Sequence, residues 1–502
     1  MSAETQHSHR KLDGAVAGGL AWTAGAKTAT QLITWLSAIW AARLLSPADF
    51  GLVSMAGILL NITAVLSEFG LGTAALQMPE LTADVIAQLN TASAAICTAI
   101  YGLTVLSAPL AAMFFKSDQL KVLLAVNSLA LLITGFQAVP MALLQKDLDY
   151  RRLSVIDAVQ AVLMAVVTVV CALLGLAYWS LVAGPLAGRL AGAALMYWWK
   201  PVPFKWPRWS QIEAAVRLGA HISVSRIASA IYVFSDGAIV GRTLGDSALG
   251  AYQWAMNLAS APADKVGLLL MRVTGPLFAK IQNDARLVQR YFRIVSEALS
   301  LTIFPMLLGL AVVAPEAVQA LLGSKWAGAE GPIRWLALFV GVRTLATLVT
   351  QVLTSLRYTR FNMWVSLLSF AVMPPAFLIA SRWGIAAVAA SWLILAPVTI
   401  LPPIVKLLRV TGLRYLEYLD VLAPALGGSA VMVALVLALK VWLGGIQMHA
   451  WAELAIEVAA GGAAYGVFLL LFYRTRLTRY LHFILDTRKG SQELAYTEMP
   501  KM

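Results

Sequence analysis

The sequence predicts an all-α protein that crosses a membrane many times. Three observations carry that prediction. Of the 502 residues 60% are hydrophobic and only 13% charged, with a mean hydropathy of +0.76, whereas soluble domains carry about a quarter charged residues. Apolar runs recur along almost the whole chain at the length a bilayer demands, roughly 20 residues per helix. The short alternating segments of a closed β-barrel are absent. The same figures exclude a disordered chain, a fibrous one and a secreted disulfide scaffold. Cys97 and Cys171 fall in separate apolar runs, so neither a disulfide framework nor a metal cluster is expected.

Read in order, the apolar runs give about fourteen spans: 20–42, 52–75, 87–114, 121–144, 154–176, 178–198, 215–240, 248–271, 295–314, 332–355, 361–381, 384–405, 419–441 and 452–473. The least marked boundary is Gly175–Trp179, where Gly-Leu-Ala-Tyr separates two apolar runs. The polar start MSAETQHSHRKLDG and the long first run predict an uncleaved span and not a signal peptide. An even number of spans puts both termini on one face. With the N-terminus inside, and basic residues at span ends counted with the adjoining segment, 25 of the 38 basic residues fall in internal segments and 8 in outer loops. That asymmetry predicts cytoplasmic termini. The formal charge of +13 is therefore read as topological, with no nucleic-acid partner.

A boundary lies at 197–209, Tyr-Trp-Trp-Lys-Pro-Val-Pro-Phe-Lys-Trp-Pro-Arg-Trp. Its three prolines preclude a continuous helix. Aromatics interleaved with cations also occur in nucleic-acid binding, but beside a span they suit the headgroup layer. An internal repeat supports a division here. Residues 42–51 (ARLLSPADFG) align with 241–250 (GRTLGDSALG) at an offset of 199, with Arg43/Arg242, Leu45/Leu244 and Gly51/Gly250 identical. Each copy lies between the first and second spans of its half, and six spans per half give both halves the same topology, as in transporters built from parallel repeats. Ser46-Pro47-Ala48-Asp49 has the pattern of a helix start, with Ser at N-cap, Pro at N1 and an acid at N3. Arg43 and Arg242 are expected to snorkel to the outer interface.

These segments resemble Wzx-type polysaccharide flippases, the lipopolysaccharide/exopolysaccharide biosynthesis members of the multidrug/oligosaccharidyl-lipid/polysaccharide exporter superfamily. The resemblance rests on Ala42–Gly51 followed by Glu68–Gln77, on Val139–Gln145 followed by Asp149–Arg152, on Ser235–Gly245, and on Leu322–Trp326 followed by Pro332–Leu338. It covers roughly 20–440 and is nearest to the colanic-acid/xanthan exporter branch; 441–502 carries no matching motif. It implies two pseudo-symmetric six-helix lobes forming a V around a central cavity, plus two C-terminal helices. The expected organisation is then a tail at 1–19, an N-lobe at 20–198, a linker at 199–214, a C-lobe at 215–405, two further spans within 406–473 and a tail at 474–502. The implied activity is translocation of an undecaprenyl-diphosphate-linked oligosaccharide from the cytoplasmic to the periplasmic leaflet of the bacterial inner membrane. The implied partners are that lipid-linked oligosaccharide, the bilayer, and the polymerase and export machinery of the pathway; no cofactor is implied.

A charge at the bilayer centre costs at least ~2.5–3.5 kcal/mol, so ionisable groups inside spans are functional candidates. The cations are Lys27, Arg189, Arg226, Lys265 and Arg343, and the anions Glu68, Asp157, Asp236, Asp264, Glu297 and Glu457. Lys27, Arg226 and Arg343, then Arg189, are the candidates to grip a diphosphate, because a diphosphate needs opposing positive charge and Arg offers bidentate contact. The competing role for each is ion pairing with a neighbouring acid. Glu68 and Asp236 are candidates for proton coupling, since a buried carboxylate can carry a proton through a transport cycle; pairing with Arg242 is the alternative role for Asp236. Residues 276–293 read as an amphipathic helix on the cytoplasmic surface.

Three other activities fit the composition. A drug or cation antiporter, or a peptidoglycan lipid-precursor flippase, would share the implied fold. A membrane-embedded polysaccharide polymerase would need a catalytic cluster on an outer loop, and the sequence has no such His/Asp/Glu cluster, nucleotide loop or metal spacing. His7, His9, His221, His449 and His482 are scattered.

Overall fold

A computed structural model describes residues 25, 27–67, 82–147, 149–208, 232–443 and 448–474. Among the described residues there is no strand. The helices are α1 (27–44), α2 (Pro47–Ser67), α3 (Ala83–Phe115), α4 (Gln119–Asn127), α5 (Leu129–Lys146), α6 (Tyr150–Leu173), α7 (Ser180–Trp199), α8 (Ser235–Leu244) and α9 (Asp246–Lys280). They continue as α10 (Ala285–Val312), α11 (Ala314–Leu321), α12 (Glu330–Ser355), α13 (Thr359–Ala380), α14 (Ile385–Ile394), α15 (Ala396–Thr399), α16 (Leu401–Thr411), α17 (Tyr415–Leu443) and α18 (Ala450–Phe472). Nine segments among the described residues are long and apolar enough to cross a membrane. The expected span at 215–240 lies mostly outside the described residues, and the one at 384–405 is divided among α14, α15 and the start of α16.

Two compact units emerge. The first comprises the chain to Gln253 with Leu321–Gly328 and Val372–Val388; the second comprises Trp254–Ala320, Ala329–Ala371 and the chain from Ala389 onward.

In the first unit, small residues set how closely helices approach. Gly184, Gly188 and Gly192 recur every fourth residue along α7 and face Thr168, Met164 and Gln160 on α6. A Cβ on Gly184 would lie 1.9 Å from Thr168 Oγ1, and one on Gly188 2.6 Å from the Gln160 carbonyl, so only glycine permits this contact. Apolar solvent gives membrane helices no hydrophobic drive to associate, and such close backbone packing takes its place. The α6–α7 turn uses left-handed backbone at Gly175 (φ 77°) and Ala177 (φ 47°), which is the structural form of the weakly marked boundary in the sequence.

The proline-rich segment at 201–208 is extended and pinned along the start of α3. Val202 is buried among Leu89, Ala92 and Val139, and its carbonyl accepts from Asn90 Nδ2 at 3.3 Å. The backbone N–H of Lys205 donates to Thr91 Oγ1 and that of Arg208 to Gln88 Oε1, while the Lys205 ammonium pairs with Asp84. Trp198 and Trp206 remain more than 80% exposed, as headgroup-layer aromatics would be.

In the second unit, α10, α12 and α17 enclose the core. Phe292 stacks on Tyr418 at 5.4 Å and Phe339 on Trp392 at 4.8 Å. Tyr465 on α18 satisfies its hydroxyl on the Leu301 carbonyl at 2.8 Å. The stretch 276–293 is not one amphipathic helix. Its first part prolongs α9, a turn follows, and Asp284 caps α10 by accepting from the N–H groups of Arg286 and Leu287. The apolar face does exist, and Phe278, Val288 and Phe292 are fully buried on it. An acid with strong N-cap preference inside the periodic stretch is what interrupts it.

Candidate functional site

The two repeat copies meet inside the first unit. Gly51 opens α2 and Gly250 opens α9, and the two helix starts cross at these glycines. A Cβ on Gly51 would stand 1.7 Å from the carbonyl oxygen of Asp246; a Cβ on Gly250 would stand 1.9 Å from that of Pro47. Pro47 and Asp246 are themselves equivalent at the repeat offset, so the contact is reciprocal: each copy presents its glycine to the same carbonyl of the other.

Each repeat arginine also reaches the end of a helix distant in the chain. Arg43 Nε donates to the carbonyl of Leu321, the last residue of α11, at 3.0 Å. Arg242 donates to the carbonyls of Met113 (3.2 Å) and Phe114 at the end of α3, with its guanidinium 5.0 Å from the Phe114 ring centre. Both arginines therefore satisfy orphan carbonyls at helix C-termini, where a cation also complements the helix dipole. The first copy is reinforced further. Ser46 and Asp49 form a reciprocal capping box (Ser46 Oγ to Asp49 Oδ2, 2.6 Å), Lys325 Nζ donates to the Arg43 carbonyl at 2.6 Å, and buried Trp326 donates to the Ala42 carbonyl at 2.9 Å.

The ionisable groups inside the helices have different surroundings. Lys27 on α1 is exposed and acts electrostatically on Asp157 of α6. Arg189 on α7 is exposed, and its Nη1 donates to Thr134 Oγ1 at 3.1 Å; Gln137 Nε2 donates to the Arg189 carbonyl at 2.9 Å. Among the described residues no carboxylate forms an ion pair with Arg189. In the second unit, half-buried Arg343 on α12 donates to Ser260 Oγ at 3.3 Å and lies 5.7 Å from the Phe339 ring centre. Arg226 and Glu68 lie outside the described residues.

Asp236 is 6% exposed in the first turn of α8, where the helix N-terminus favours an anion. It accepts from Tyr252 Oη at 2.7 Å and from the Gly237 N–H at 2.6 Å. Arg242 is directed to α3, so Asp236 is buried through Tyr252 and not through that arginine. The sequence singled out Asp236 but not Tyr252, which is 16 residues away and carries no charge to mark it. Thr134, Gln137, Ser260 and Phe339 were likewise missed, as uncharged residues among many in apolar runs.

A many-helix fold with internal repeats crossing at glycines, and strong cations retained within its helices, defines a multi-pass membrane protein. The same fold occurs in the lipid II flippase MurJ in an inward closed conformation, with a TM-score of 0.71 at 13% identity over 91% of this chain and all of that one. It also occurs in an inward-facing multidrug resistance MATE family transporter, with a TM-score of 0.60 at 12% identity over 76% of this chain and 96% of that one. Residues 41–330 match the family described as "Polysaccharide biosynthesis protein", and the chain belongs to that family. It is 26% identical over 472 residues to the succinoglycan biosynthesis transport protein ExoT of Rhizobium meliloti (strain 1021), covering 93% of this chain and 95% of that protein. It is also 26% identical to the lipopolysaccharide biosynthesis protein WzxC of Escherichia coli (strain K12), covering 57% of this chain and 58% of that protein.

Proposed function

We propose that this chain is a flippase that moves a lipid-linked oligosaccharide repeat unit from the cytoplasmic to the periplasmic leaflet of the bacterial inner membrane, by alternating access, for exopolysaccharide or lipopolysaccharide synthesis. One observation carries the reading: the chain aligns over 93% of its length with a succinoglycan biosynthesis transport protein. The retained intramembrane cations give that reading a chemistry. An undecaprenyl diphosphate headgroup is anionic and its oxygens accept bidentate hydrogen bonds from guanidinium. Arg189, held by a neutral hydroxyl, keeps its full charge for such a group; Arg343 is oriented by Ser260 and Phe339 for the same task. Lys27 faces competition from Asp157, so its contribution is the smaller. Arg226 completes the set of binding candidates, and Glu68 and Asp236 remain the coupling candidates. A polymerase and export proteins of the same pathway are the expected functional neighbours.

Deleting the gene tests the reading directly. Surface polysaccharide should be lost, and lipid-linked repeat units should accumulate on the cytoplasmic face, where an externally added glycosidase cannot reach them. Normal polymer output from the deletion strain would overturn it. Accumulation of a peptidoglycan precursor instead would assign the chain to a different lipid-linked substrate.

A further inference from the structure

Near the C-terminal ends of α10 and α17, the second unit concentrates charge that export through the cations above does not use. Glu316 stands in the first turn of α11, Lys440 in the last turn of α17, and Glu453 and Glu457 in the first two turns of α18. Glu453 and Glu457 are four residues apart and share one helix face. Carboxylate oxygens of Glu316, Glu453 and Glu457 all lie within 4.8 Å of one another.

Lys440 does not satisfy this cluster. Its ammonium is bonded to Glu316 and, at 2.9 Å, to the carbonyl of Val312. Glu457 Oε2 forms an ion pair with the same nitrogen at 3.7 Å, beyond hydrogen-bond reach. Glu457 is 0% exposed, and neither of its oxygens has a hydrogen-bond partner. One ammonium shared between two carboxylates, and hydrogen-bonded to only one of them, leaves the fully buried one short of partners, at a cost of several kcal/mol.

We propose that Glu316, Glu453 and Glu457 form a binding site for a hard divalent cation, best matched by calcium, with Lys440 as its built-in second positive charge. The donor set is oxygen only, which selects hard cations over zinc or copper. Three carboxylates against one ammonium leave two negative charges, which one divalent ion neutralises. The three oxygens lie close enough together to share one ion. Calcium accepts six to eight oxygens at about 2.3–2.6 Å in flexible geometry, whereas magnesium demands a near-ideal octahedron at about 2.0–2.1 Å, so three carboxylates drawn from two helices suit calcium better. Occupancy would fasten α18 to α11 and to the end of α17, joining the last two helices to the body of the unit.

The test uses the full chain, purified in detergent and stripped with a chelator. Calcium chloride and magnesium chloride are titrated while radioactive calcium binding and the unfolding temperature are followed. The expected result is one saturable calcium per chain and a rise in unfolding temperature with calcium, with magnesium weaker. Glu457→Gln and Glu453→Gln should each lower calcium affinity about tenfold or more. Lys440→Met should raise it, because the competing positive charge is gone. Glu453 is only half-buried, so the Glu453→Gln variant remains informative if Glu457→Gln fails to fold. Absence of binding up to about 10 mM calcium would overturn the proposal, as would unchanged binding in Glu453→Gln. A Glu457→Gln protein more stable than the wild type and indifferent to calcium would mean that the carboxylate takes a proton instead, and would overturn it equally.

Discussion

The first unit places arginine in two kinds of setting. At the repeat crossing, Arg43 and Arg242 are bonded to carbonyls that end α11 and α3. In the interior of α7, Arg189 is bonded to one threonine hydroxyl. Both settings lie in or beside apolar helices, where a charge is a functional candidate by default. What separates them is the partner. A helix C-terminus offers several orphan carbonyls with a partial negative charge, and an arginine that reaches them is structural. A lone hydroxyl carries no charge, and the arginine beside it keeps its own.

The largest effect is expected at the glycines. Gly51→Leu or Gly250→Val would drive a side chain into a backbone carbonyl that cannot move without displacing a helix start. Overpacking of this kind costs about 1–3 kcal/mol even where side chains alone must adjust, and here the backbone must. Little folded protein should be recovered, measured by fluorescence-detected size exclusion. Gly57→Leu is the control, since a Cβ on Gly57 meets nothing within 4 Å. Equal loss in the control would show that α2 tolerates no bulk anywhere, and would remove the crossing as the cause.

Next come the interior arginines. Arg189→Ala and Arg343→Ala should each reduce polysaccharide export about tenfold, the cost of roughly 1.4 kcal/mol in substrate interaction, while the protein still inserts and folds. The Lys variants should lose less if charge is the main contribution, and as much as Ala if the planar fork is required. Wild-type export from both Ala variants would leave these cations without a role in transport. Arg43→Ala and Arg242→Ala should show the opposite pattern. Each is expected to lower stability by about 1–2 kcal/mol through unsatisfied carbonyls and to do so to a similar degree, because both arginines end on carbonyls at a helix C-terminus. A larger loss for Arg43 would locate the difference in the Lys325 and Trp326 bonds that only the first copy has.

The fold was legible because it rests on apolar run length, and run length survives in one dimension. The repeat was legible for a related reason: Arg43/Arg242 and Gly51/Gly250 are identical because both copies meet the same backbone geometry. The role of the arginines was not legible. Snorkelling to an interface and capping a helix more than 100 residues away demand the same side chain, and only the fold brings the distant carbonyls near. The glycine seam on α7 was open to reading from its fourfold spacing, yet Gln160, Met164 and Thr168 opposite it look like any span. The amphipathic stretch at 276–293 misled because apolar periodicity does not register a turn, although Asp284 was visible as a cap. The candidate cations were found because charge is rare in such a chain. Their neutral partners, Thr134 and Ser260, were not, because hydroxyls are common there.

A smaller effect is expected from Tyr252→Phe, which removes the hydroxyl from buried Asp236 and leaves the carboxylate short of one partner. The loss should be about 1 kcal/mol, since Asp236 keeps the Gly237 N–H, and is read as a fall in unfolding temperature. If Asp236 also carries a proton during transport, export by this variant should shift its pH optimum; a stability loss with an unchanged pH profile would confine the pair to structure.

The smallest effect is expected at Asp118, in the turn between α3 and α4. The hydrogen bond from Lys121 and its charge, at 2.7 Å, hold the Asp118 carboxyl below the ordinary carboxylate range. A carboxyl whose pKa is lowered in the folded state adds stability above its unfolded pKa, and that stability disappears as pH falls through the folded value. The Asp118 side chain is 93% exposed, so ions screen the pair: the Debye length is about 10 Å at 0.1 M salt and about 3 Å at 1 M. Asp118→Asn should therefore differ from wild type only marginally in unfolding temperature at pH 7 and low salt. The two should coincide in 1 M salt and again once the pH has fallen through the folded value. A difference that survives high salt would have to come from the start of α4, where Asp118 is the N-cap residue but makes no side-chain capping bond. The pair would then have to be grouped with Arg43 and Arg242, as a charge committed to a helix end.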